Sequence, residues 1–170
     1  MSFDYFIIVM IWVISIITLF LAIPKARIRE FVAVFLFFQA LTWMFSITLT
    51  AFGLLSTEVR LFEHATKISF TSEFAFYPTL AVVFHRFYPE KAGKRKVILH
   101  YLLFVGIILL YMYLLDKFTG IMNGEITEQL IRTFFNFIFE FWLLRQYMVW
   151  FMRSMSSQAH HVSEGPQQWK

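Results

Sequence analysis

The chain has 170 residues, 59% of them hydrophobic and 21% aromatic, with 23 Phe and only 15% charged. About a quarter of residues are charged in an ordinary water-soluble domain, so this composition points to a multi-pass membrane protein. The formal charge of +4, tied to helix ends, gives no nucleic-acid surface, and the lack of cysteine excludes disulfides, thiolate catalysis, Cys-ligated zinc and S-palmitoylation.

Apolar runs between charged or turn-rich breaks predict five helices, at 5–23, 31–55, 68–87, 97–115 and 130–152. Asp4 precedes the first run and "KARIR" follows it, the reverse of a cleavable signal, so it reads as an uncleaved helix. Lys25, Arg27 and Arg29 follow the first span, and Lys91, Lys94, Arg95 and Lys96 follow the third. Basic residues in short loops mark the cytoplasmic face, which places the N-terminus outside and the C-terminus inside and gives these seven residues a role in anchoring to anionic headgroups. The expected fold is thus an all-α integral membrane bundle of five transmembrane helices over 1–153, followed by a flexible cytoplasmic tail at 154–170.

The third span carries the best functional lead, "KISFTSEFAFYP". Thr66, Ser69, Glu73 and Tyr77 are spaced by three or four residues and share one helix side. Pro78 follows at once; it lacks an N–H and crowds the carbonyl of Phe74, so a kink, and a hinge role, are expected there. The fifth span supplies a second stripe, Arg132, Asn136 and Glu140, with Arg145 and Gln146 further along. Counting from the predicted outer boundary at 1.5 Å per residue, Glu73 lies at roughly 8 Å and Asn136 at roughly 9 Å, with Arg132 able to reach Glu73. Gln39 in the second span falls level with Arg145.

No "GxSxG", "HExxH" or Walker-type loop occurs, and His64, His85 and His100 have no metal-ligand spacing; neither enzyme, metal nor cofactor is expected. Glu63 with His64, and His160 with His161, read as solvated.

The segments "IPKARIREFVAVFLFFQALTW", "FEHATKISFTSEFAFYP" and "FYPEKAGKRK" together resemble a family of small multi-pass membrane proteins of spore-forming Firmicutes, over Ile11 to Phe151. The resemblance implies the bacterial cytoplasmic membrane, or a membrane of the developing spore, and no assigned activity, substrate or cofactor. The expected function is a non-enzymatic integral membrane component held by an interhelical polar cluster, with the bilayer, a membrane-protein partner or a second copy as its contacts. The alternative is proton-coupled or ion-linked permeation through Glu73 and Glu140.

Overall fold

The computed structural model describes residues 3–52, 69–119 and 126–164. Within them lie five α-helices: α1 Phe3–Ala22, α2 Ile28–Ala51, α3 Tyr77–Arg86, α4 Lys94–Thr119 and α5 Ile126–Glu164. A short 3-10 turn, Lys25–Arg27, links α1 to α2, and a π-turn, Ser72–Phe76, leads into α3. α5 continues to Glu164, through much of the segment read from sequence as a tail. Thr66, Glu63 and His64 lie outside the described residues.

Helical periodicity assembles the core. Phe31, Val34 and Phe38 on α2, and Phe137, Phe141, Leu144 and Met148 on α5, recur at three- and four-residue spacing and are all buried. α2 packs on α3 and α5, α4 packs on α5, and α1 lies against α3 and the π-turn. Phe141 is the junction: its ring lies 5.0 Å from Phe38 and 4.4 Å from Phe84, centroid to centroid. Both distances suit offset aromatic packing, which adds to the area that each ring removes from water. On the outside, α1 and α4 carry apolar side chains such as Phe20 and Leu99, both exposed.

Pro78 explains the π-turn. In a regular α-helix its ring would press on the carbonyl of Phe74 and leave that oxygen without a donor. Widening the preceding turn relieves the clash, and the Tyr77 N–H reaches back five residues to the Ser72 carbonyl.

The expectation of five membrane-crossing helices is corrected. Among the described residues, two stretches, Lys25–Ala51 and Lys94–Leu115, are long and apolar enough to cross a bilayer by length and composition; Phe6–Ala22 is apolar but shorter. α3 is a ten-residue helix behind the π-turn, and α5 interleaves Arg132, Asn136, Glu140 and Arg145 with its apolar stripe. The interior holds a buried polar network and ion pairs beside the aromatic core. Hydropathy counts apolar residues without registering whether a neighbouring helix covers them, so a packed helix and a lipid-facing one give the same apolar run. The integral-membrane role, with its permeation alternative, the N-out/C-in orientation, the bilayer, headgroup and membrane-partner contacts, and the cytoplasmic or spore membrane location lose their support with that reading.

Candidate functional site

Two buried carboxyl centres lie between the helices. The first joins the π-turn, α2 and α5. Glu73 sits in the π-turn at 3% exposure, and its Oε1 accepts a hydrogen bond from Ser46 Oγ of α2 at 2.6 Å. Thr42, one turn before Ser46, donates to the carbonyl of Gln39 and also stands beside the Glu73 carboxyl, favouring its charged form. From α5, Glu140 is 1% exposed, and its Oε1 accepts from Asn136 Nδ2 at 2.6 Å, an i,i+4 pair. The Oε2 atoms of both glutamates are buried and have no hydrogen-bond partner among the described residues.

Such half-satisfied carboxyls resist ionisation, because a buried charge that cannot be solvated must be compensated locally. Burial pushes Glu73 up to about 7, against the opposing hydroxyls of Ser46 and Thr42. Burial likewise pushes Glu140 well above the ordinary carboxylate range, and the nearby charge of Glu73 adds to the effect. Tyr77 is buried as well; burial first, then the charges of Glu73, Tyr111 and Glu140, keep its phenol neutral.

Hydroxyls and rings frame this pair. Ser72 Oγ lies 2.9 Å from Tyr111 Oη of α4 and 3.0 Å from Ser69 Oγ, and Trp12 Nε1 of α1 donates to Thr71 Oγ1 at 3.3 Å. Phe76 stacks on Tyr111 at 3.8 Å, and Tyr77 packs against Phe137 at 4.8 Å. The π-turn therefore touches α1, α2 and α4 through polar side chains within a few residues of one another.

The second centre was not foreseen. Glu30, in the first turn of α2, is 5% exposed and takes Arg27 in two-pronged fashion, Nε to Oε2 at 2.7 Å and Nη2 to Oε1 at 2.5 Å. His85 Nε2 of α3 lies 2.7 Å from Oε1. Burial works against the charge on Glu30, but the hydrogen bonds from Arg27 and His85 outweigh it and hold the carboxyl below its ordinary value. Arg86, next to His85, donates to the Ala22 carbonyl and so ties α3 to the end of α1. The signal in the sequence was Glu30 three residues after Arg27, a spacing that sets the two side chains on one helix face.

The remaining predicted residues divide between these centres and the surface. Glu73, Glu140, Asn136, Tyr77 and Ser69 gather at the first. The partner that Glu73 finds is Ser46, and Arg132 lies half-buried one turn before Asn136. Gln39 and Arg145 do not meet as a level pair: Arg145 donates to Glu90 Oε1 at 3.2 Å and stacks over Tyr88, 4.2 Å from the ring centroid. Lys25, Arg29, Lys91, Lys94, Arg95 and Lys96 are exposed. Among the described residues, no group of three or more His, Asp or Glu side chains is placed to hold a metal.

No family model, curated protein or solved structure matches the chain.

Proposed function

We propose that the protein is a non-catalytic helical module whose packing is set by protonation of the Glu73–Glu140 pair. The observation that carries this reading is the pair of buried Oε2 atoms that have no hydrogen-bond partner among the described residues, one on each carboxyl, contributed by different elements. A protonated carboxyl turns such an oxygen from an orphaned acceptor into a hydroxyl donor; an ionised one leaves a buried charge facing another carboxyl. The groups that face the pair are Tyr77 and Tyr111, both weak acids, and the neutral Ser46, Thr42, Ser72 and Asn136. Their closure from solvent favours proton binding over turnover of a substrate. The neutral pair keeps the π-turn seated against α2 and α5, and ionisation of Glu73 loosens it.

Hydrogen exchange tests this on the purified protein. Backbone protection of residues 69–78, corrected for the intrinsic pH dependence of exchange, is expected to fall between pH 5.5 and pH 8. The double variant Glu73→Gln/Glu140→Gln should hold constant protection over that range. Flat protection in the parent chain, or the same decline in the double variant, contradicts the proposal.

A further inference from the structure

The turn between α1 and α2 opens into a cleft of about 620 Å³, lined by Lys25, Ala26, Arg27, Ile28, Arg29, Glu30 and Met152. Three of these side chains are cationic and one is anionic. Glu30, however, is already committed below the surface to Arg27 and His85, so its charge is spent inside the protein. Lys25 and Arg29 are left as a cationic surplus on the cleft wall, four residues apart and both exposed.

The wall is also held in place. The Arg27 N–H donates to the Pro24 carbonyl at 2.9 Å, and the Ile23 N–H to the Leu19 carbonyl at 3.0 Å. Arg86 reaches from α3 to the Ala22 carbonyl, and the Arg27 guanidinium lies 5.7 Å from the centre of the Phe31 ring. Met152 of α5 also lines the cleft, so two separate parts of the chain contribute to it. A concave site on an ordered turn, with two exposed cations that have no ion pair among the described residues, suits a compact oxyanion of charge two or more, because each additional oxygen can accept a charge-assisted hydrogen bond without an ordering cost in the turn's backbone.

We propose that this cleft binds a soluble phosphate-type oxyanion through Lys25 and Arg29, with Arg27 held beside them by Glu30. The site is independent of the Glu73–Glu140 pair.

Calorimetric titration with pyrophosphate at fixed ionic strength tests it, comparing the parent chain with Lys25→Gln/Arg29→Gln and with a control, Lys94→Gln/Lys96→Gln. Saturable binding of one anion per chain is expected, about tenfold or more weaker in the first variant and unchanged in the control, as loss of charge-assisted contacts implies. Circular dichroism confirms that both variants keep their helices; should the first fail to fold, Arg29→Lys serves in its place, keeping the charge but losing the forked geometry, and weaker binding is again expected. Non-saturating heats, or equal weakening in the control, overturn the proposal. So does association only with vesicles containing phosphatidic acid, without pyrophosphate binding, which would assign the basic turn to a headgroup instead.

Discussion

Glu30 and Glu73 both expose little surface, 5% and 3%, yet the protein treats their charges in opposite ways. Glu30 lies close beneath the surface, meets a guanidinium and an imidazole and is held ionised; Glu73 lies deep among the helices, meets only hydroxyls beside a second carboxyl, and is held protonated up to about 7. The charge state follows from depth and partners together, not from exposed area alone. The two centres also lie at the two ends of the same helical segment, since His85 near the end of α3 serves Glu30 and the π-turn before α3 carries Glu73. One segment is clamped by a charged contact at one end and by a neutral contact at the other.

Breaking the charged end has the largest expected effect. Glu30→Gln removes the charge and one of the two acceptor oxygens that take Arg27 and His85, and chemical denaturation at pH 7 should show a loss of about 3 kcal/mol, the scale of a lost charge-assisted hydrogen bond. A loss under about 1 kcal/mol would mean that Arg27, which is half exposed, finds water as good a partner. Because the folded pKa of Glu30 lies below its unfolded value, its contribution is present above the ordinary carboxylate range and disappears as pH falls through the folded pKa.

Glu73 runs the other way. Its folded pKa is about 7 against 4.5 unfolded, so the folded state holds a proton that the unfolded state has released, and stability drops as pH rises from about 4.5 to 7. At pH 8 the full cost of the buried charge is present, of order 3 kcal/mol. Glu73→Gln should therefore be more stable than the parent at pH 8 by up to about 3 kcal/mol, and nearly equal to it at pH 4.5. Denaturation curves at the two pH values separate this from a packing effect, which would appear equally at both.

The smallest effect sharpens the comparison rather than breaking it. Ser46→Ala deletes the Ser46 hydrogen bond to Glu73, so the carboxyl should titrate at a higher pH, as followed by carbon-13 NMR of its side chain. The stability cost is about 1 kcal/mol at pH 8 and less at pH 5, where the acceptor is uncharged. An unmoved titration would show that Ser46 has no part in setting the charge state.

Much of the helical layout is legible from apolar runs: the helices observed at Phe3–Ala22, Lys94–Thr119 and Ile126–Glu164 include most of each run read at 5–23, 97–115 and 130–152. Glu73 also stands out, because a carboxylate among Phe and Ala has few bland explanations. Its partner does not. A helical stripe tells which residues share a side, while the opposing helix depends on packing angles that one-dimensional spacing does not carry, and the depth arithmetic that matched Arg132 to Glu73 assumed a bilayer boundary. Glu30 and His85 stayed invisible for a related reason. They are separated by 55 positions, and each has an ordinary local explanation, a helix-start acid and a helix-end base.

The π-turn is, in effect, one surplus residue lodged in a helix. Each residue of an α-helix turns the chain by about 100°, and the wider π-turn spreads its extra residue over nearly the same total rotation, so Thr71 and Ser72 keep their bearing towards Trp12 and Tyr111. A deletion within 72–76 that let the turn relax to regular α-helix would therefore leave the upstream contacts nearly where they are and return the clash of Pro78 with the preceding carbonyl. In this stretch an extra residue is absorbed as width, not as rotation.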